Sequence, residues 1–266
     1  MFKINNFTNN DDIKITEAAG PFQVIEYLKD LSVMPATAQI AYYSSQMNVH
    51  KRQVICDLKN TKGVTLQAGA MQWTVGDVSA NTGLKGAGDF FKKTMRGSVT
   101  GESAIKPEYT GTGMLVLEPT YRHILLIDTS DWNGSIVLDD GLFLACESKL
   151  EHKAVMRSNL SSAIAGGEGL FNLGIQGNGI LCLESPCPKE ELVEVVLEND
   201  VLKVDGNFAV AWSGSLSFTV ERSGKTLIGS AAGGEGLVNV YRGTGKVLLA
   251  PVSNTYILGA NIPVSK

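Results

Sequence analysis

A Gly-x-Gly step followed by a short apolar run occurs three times in this chain, at a constant interval. Gly111-Thr112-Gly113 leads into Met114-Leu115-Val116-Leu117, Gly177-Asn178-Gly179 into Ile180-Leu181-Cys182-Leu183, and Gly243-Thr244-Gly245 into Lys246-Val247-Leu248-Leu249. The step is 66 residues both times. Ahead of each lies a Gly-Glu pair: Gly101-Glu102, Gly167-Glu168 and Gly234-Glu235. A fixed period of this size marks an architecture of repeated units, each too small to bury its own apolar face alone.

A second landmark precedes each Gly-Glu. It reads Leu66-Gln67-Ala68-Gly69-Ala70-Met71, then Leu138-Asp139-Asp140-Gly141-Leu142-Phe143, then Val204-Asp205-Gly206-Asn207-Phe208. Each is a β-like run, a glycine-centred turn and a second β-like run. Many short runs at 8–12-residue spacing argue for an all-β sandwich or barrel. Helical periodicity is weak; Leu84–Met95 and Arg157–Ala165 read as single turns. The expected fold is therefore all-β, with three internal repeats of about 66 residues. They pack with pseudo-threefold symmetry into one sandwich- or barrel-like domain with few short helical turns. The boundaries are an N-terminal extension over 1–48, a three-repeat domain over 49–253 (repeats 49–120, 121–186 and 187–253) and a tail over 254–266. Within the extension, Phe22-Gln23-Val24-Ile25 and Gln39-Ile40-Ala41-Tyr42-Tyr43 read as strands, too apolar to stay off the core.

With these landmarks in place the chain resembles the family named after altered inheritance of mitochondria protein 24. The phrases that carry the resemblance are Gln67-Ala68-Gly69-Ala70-Met71, Gly101-Glu102-Ser103, Gly166-Gly167-Glu168-Gly169-Leu170-Phe171 and Gly233-Gly234-Glu235-Gly236-Leu237-Val238, in that order. The resemblance spans about residues 50–252. It implies a β-rich fold similar to that of the tryptophan RNA-binding attenuation protein. It brings no catalytic residues and no agreed ligand.

Glu102, Glu168 and Glu235 are the sharpest candidates for a site. On symmetry-related spots near an axis, three carboxylates suit a hard cation; the plainer reading is that each accepts hydrogen bonds from its own glycine-rich turn. Arg222-Ser223-Gly224-Lys225-Thr226 ends like a phosphate-binding loop, but Thr219 stands where the first glycine belongs, and a hairpin turn fits better. Cys182 and Cys187 lack zinc-ligand spacing, and the three histidines, His50, His123 and His152, are scattered. His123 and Asp128 have no evident nucleophile as partner. Trp73 and Trp212 follow matched turns and read as core or shoulder positions; Trp132 reads as a ring folded over its own hairpin.

The formal net charge is −4 and no basic block occurs. Nothing electrostatic then favours DNA, and RNA binding rests on fold analogy alone. Neither a signal peptide nor a transmembrane segment is expected, so the expected location is cytoplasmic, with reduced thiols. The functional expectation is a non-enzymatic scaffold or protein-interaction module without cofactor, whose partner is an unknown protein or a second copy of itself. The alternatives are a small-ligand or cation receptor on the pseudo-threefold axis and an RNA binder. The glycines Gly101, Gly111, Gly113, Gly167, Gly177, Gly179, Gly234, Gly243 and Gly245 are expected to be structural.

Overall fold

A computed structural model describes residues 2–83, 106–156, 171–222 and 237–252. Eighteen strands and one α-helix are placed among them. The strands are β1 (Ile13–Ala19), β2 (Phe22–Tyr27), β3 (Lys51–Asp57), β4 (Val64–Leu66), β5 (Met71–Val75), β6 (Val78–Asn81), β7 (Glu108–Gly111), β8 (Met114–Leu117) and β9 (His123–Asp128). They continue as β10 (Ser135–Leu138), β11 (Phe143–Glu147), β12 (Glu151–Met156), β13 (Phe171–Gln176), β14 (Ile180–Ser185), β15 (Val193–Asp205), β16 (Ala209–Ser213), β17 (Ser217–Arg222) and β18 (Leu237–Leu249). The helix, α1, is Ala38–Gln46.

The strands form three antiparallel sheets. The first runs β1-β2-β3-β8-β5, the second β6-β7-β4-β11-β14-β9, and the third β12-β13-β10-β16-β18-β15, with β17 also on β18. The all-β expectation holds, with α1 as the exception.

Burial explains why so many runs are apolar without alternation. Adjacent strand residues face opposite sides of a sheet. Leu126 and Cys182 join Phe22, Val24, Val54 and Leu115 in a core between the first and second sheets. Their neighbours Leu125 and Leu181 join Ile136, Leu138 and Ile175 in a core between the second and third. The second sheet is thus covered on both faces over β11, β14 and β9, which are apolar at most positions, Ser185 being a buried polar exception. A further core lies on the far side of the third sheet. There Val137 and Val247 meet Val204 and Tyr241 from the outer ends of β15 and β18. Trp212, Phe218 and Tyr241 stack in it with centroids 5.1–5.3 Å apart.

Several local features recur at matching places. Glu118 N–H donates to Ala70 O at 2.7 Å, Glu184 to Leu142 at 2.8 Å and Ala250 to Phe208 at 2.7 Å. The ladders shift register at Met71/Trp73, Phe143/Ala145 and Ala209/Ala211, each a bulge shortly after a turn glycine. Gly111, Gly177 and Gly243 hold φ of +132°, +108° and +119°. At Gly111 a side chain is excluded twice over: a Cβ there would sit 2.1 Å from Asp77 O.

The N-terminal extension divides. Phe22 and Val24 are core residues, and β2 pairs with β3 along its whole length. The strand expected at Gln39–Tyr43 is instead part of α1, and none of its residues is buried. A strand needs a neighbour for its backbone amides. Both edges of β3 are taken, by β2 and β8. β3, the strand that follows it in the chain, thus has no side open to it, and the segment satisfies its amides internally as a helix. The segments Leu84–Met95 and Arg157–Ala165 lie outside the described residues.

Candidate interaction surfaces

Two buried polar residues, Arg52 and Gln53, stand side by side on β3 at 5% and 3% exposure. A buried charge needs a partner. Arg52 Nη2 lies 2.8 Å from Glu26 Oε2, and donates to Asn48 O at 3.1 Å and Asn48 Oδ1 at 2.8 Å; Nη1 donates to His50 O at 3.2 Å. The guanidinium thereby ties together the strand pair β2–β3 and the turn after α1. Asn48, with φ of +61°, makes that turn. His50 adds a second tie. Its Nε2 lies 2.7 Å from Ser45 O in α1, and its Nδ1 3.0 Å from Glu26 Oε1, a close approach off the line of a good hydrogen bond. On the other side, Tyr27 donates to Gln53 Oε1 at 2.7 Å, while Gln53 Nε2 donates to Gln72 Oε1 and Leu117 O, both at 2.7 Å.

This latch holds α1 by its C-terminal end while its side chains face outward. Ile40 is 69% exposed, Tyr42 63% and Tyr43 61%, and Leu31, Met34 and Met47 around them are exposed as well. These exposed apolar side chains lie on α1 and on the segments at either end of it. A separate concavity of about 440 Å³ lies beside the outer end of β15, lined by Leu202, Val204, Phe208, Leu249 and Pro251 among others.

The reactive-looking residues are placed for structure. Cys56, Cys146, Cys182 and Cys187 are all free and buried. Cys146 Sγ lies 3.4 Å from His152 Nε2, a pair that the sequence did not announce because six residues and a turn separate the two. Burial pushes the Cys146 thiol up to about 12 and the His152 imidazole down to about 4. Both partners are then neutral at pH 7, the opposite of a thiolate–imidazolium nucleophile. His123 is also lowered, by burial first and then by the charge of Arg52. Asp128 does not face His123; it sits at the other end of β9 and accepts from Ser130 N–H at 2.9 Å and Ser130 Oγ at 2.7 Å.

Glu102, Glu168 and Glu235 lie outside the described residues, as do Gly101, Gly167, Gly234 and the Ser223–Thr226 stretch. Among the described residues no three His, Cys, Asp or Glu side chains converge as a metal site would require. Gly111, Gly113, Gly177, Gly179, Gly243 and Gly245 are placed where strands cross or turn. Trp132 packs with Leu125, Ile136 and Leu138 of the two strands that its turn joins. It is 4% exposed, inside the core between the second and third sheets, with Lys246 Nζ 4.5 Å from its ring centroid. No described helix is long and apolar enough to cross a membrane.

The chain is 30% identical over 201 residues to an uncharacterised protein of Streptococcus pyogenes serotype M6, covering 73% of this chain and 78% of that protein. It is similar in fold to a Streptococcus pyogenes protein solved by X-ray crystallography in a structural genomics programme, with a TM-score of 0.58 and 25% identity, covering 80% of this chain and 93% of the other. Residues 44–252 match the model of the family described as Mitochondrial biogenesis AIM24, and this chain belongs to that family.

Proposed function

We propose that the chain is a scaffold of three like β-units that acts by binding protein. The observation that carries this reading is the outward apolar face of α1, fixed to the β-domain by Arg52, Glu26 and His50 rather than left as a loose tail. Large apolar side chains cost solubility when exposed, and a polar latch that holds them outward makes sense if a partner covers them. Three like units are supported by the recurring backbone bonds at Glu118, Glu184 and Ala250 and by the three bulges, each three or four residues after a turn glycine. In this reading the β-units supply rigidity and α1 supplies the contact.

The test is site-specific photo-crosslinking in the native host, with the reactive group at Tyr42 and, as control, at Lys14 on β1. A discrete adduct from Tyr42, absent from Lys14 and lost on Ile40→Ser, is the expected result. Adducts that are equal at both positions, or none at Tyr42, overturn the role of α1.

A further inference from the structure

We propose that the outer edge of β15 in one molecule pairs with the free edge of β5 in a second copy, joining chains head to tail. The inference rests on the three-unit reading above and extends it from one molecule to two.

Each unit carries the same order of strands. The first unit supplies β3 to β8, the second β9 to β14, and the third β15 to β18, where β15 and β18 each do the work of two strands. Units are joined by one kind of ladder. In the first joint β4 pairs with β11: Leu66 opposite Ala145, Thr65 opposite Cys146 and Val64 opposite Glu147. In the second, β10 pairs with β16: Leu138 opposite Ala211, Val137 opposite Trp212 and Ile136 opposite Ser213. The two joints match in detail. The amide after the strand donates to the carbonyl of the bulge residue in both, Gln67 to Leu144 at 2.8 Å and Asp139 to Val210 at 3.0 Å. Ser148 N–H donates to Gly63 O and Gly214 N–H to Ser135 O at the far end, both at 3.0 Å.

A joint has two halves, and among the described residues the first and third units each keep one half unpaired. The third unit's counterpart of β4 and β10 is the Leu202–Val204 stretch of β15, which pairs with β18 on one side only. The first unit's counterpart of β11 and β16 is β5, which pairs with β8 on one side only. Among the described residues neither free edge has a strand beside it. The two halves are complementary rather than self-matching. Joining them is therefore a heterologous contact, which closes a ring or extends a filament.

The internal joints fix the register. Val204 comes opposite Trp73, Lys203 opposite Thr74 and Leu202 opposite Val75, while the Asp205 amide reaches the carbonyl of the bulge residue Gln72. Lys203 meets an uncharged strand, since β5 has no charged residue. Phe7, whose ring lies 5.5 Å from that of Trp73, covers the face of the first sheet and not its edge. An exposed pair of edges of this kind is a known route to association, and a second copy is the partner whose strand already fits.

Cysteine pairing tests the register directly. Val75→Cys and Leu202→Cys, purified separately and mixed under mild oxidation, should give a disulfide-linked dimer in the mixture and none in either alone. The position corresponds to Val64/Glu147 and Ile136/Ser213, sites between the hydrogen-bonded pairs, where side chains come closest. The four native cysteines are buried and give little background. The unmodified protein should show at least twice the 28.4 kDa mass of one chain by light scattering. Thr74→Pro on the free edge should return it to one chain with an unchanged far-ultraviolet circular dichroism spectrum. A parallel Val64→Cys/Glu147→Cys variant should close within one chain. If that internal bridge forms but the mixture stays unlinked, the head-to-tail pairing is wrong and the three-unit reading stands. A Val75→Cys/Leu202→Cys double variant that bridges within a single chain also overturns the pairing with a second copy. Failure of the internal bridge removes the joint itself, and the proposal with it.

Discussion

Cys146 Sγ lies 3.4 Å from Nε2 of His152, across the turn that joins β11 to β12, and the His152 ring meets Phe143 edge-on at 5.4 Å. The histidine is held neutral by burial, with its imidazole lowered from 6.5 to about 4. In the unfolded chain the same ring takes a proton near pH 6.5. Between these values the unfolded state binds the extra proton, so stability is complete above pH 6.5 and is lost as the pH falls toward 4. The loss is on the order of 3 kcal/mol. Urea midpoints from pH 7.5 to 4.5 should fall for the native protein, and the fall should shrink for His152→Asn; equal slopes would show that His152 is not the group responsible.

The Arg52–Glu26 contact gives a second expectation. Replacing Arg52 by Met leaves the Glu26 carboxylate in a nearly closed site without its cation, which should cost about 3–5 kcal/mol. Adding Glu26→Gln removes the stranded charge, and the double variant should recover part of the loss. Both variants should also release α1, seen as faster tryptic cleavage at Lys29 or Lys51 in native conditions.

Two glycines of like backbone angle should respond unequally. At Gly243 the φ of +119° is the main obstacle to a side chain, since the nearest atoms to an added Cβ are 3.8 Å away. Gly243→Ala should cost about 1–3 kcal/mol in backbone strain. Gly111 has a similar angle, but its Cβ would also strike Asp77 O at 2.1 Å, so the pairing of β7 with β6 at Gly111 and Val78 must open. Thermal denaturation should place Gly111→Ala well below Gly243→Ala.

The N-terminal segment should act in two parts. Removing residues 1–45 takes Phe22 and Val24 from the first core and strips β3 of a neighbour, so the melting temperature should drop. Phe22→Ala alone should cost about 3–5 kcal/mol. Ile40→Ser with Tyr43→Ser touches no core, and each change should stay within about 0.5 kcal/mol. A large loss from the helix variants would mean that α1 is a packing element after all.

The turns were the most legible part of this sequence. Gly69, Gly141 and Gly206 all hold positive φ, because a tight turn between strands leaves its mark in the residue type itself. The helix at Ala38–Gln46 was not legible: Ile40, Tyr42 and Tyr43 favour strands locally, and the pairing of β3 on both sides by β2 and β8 is a long-range fact that local sequence does not carry. The latch was hidden for a related reason. Glu26 and Arg52 lie far apart in the chain and meet only because β2 and β3 pair with Glu26 opposite Arg52. Cys146 and His152 looked like isolated residues until the turn between β11 and β12 folded one over the other.

The second sheet has a consequence for anyone who would cut this protein. Its strands β6, β7 and β4 come from before Tyr121 and β11, β14 and β9 from after it, and among the described residues the only ladder across that boundary is the three-residue pairing of β4 with β11. A break in the chain between Glu118 and Tyr121 would therefore yield two pieces that each own half a sheet and an unfinished core. Each half would leave its part of the second sheet without the cover the other half supplies. Together they form a natural split reporter, whose recovery of structure would measure how strongly one such seam holds.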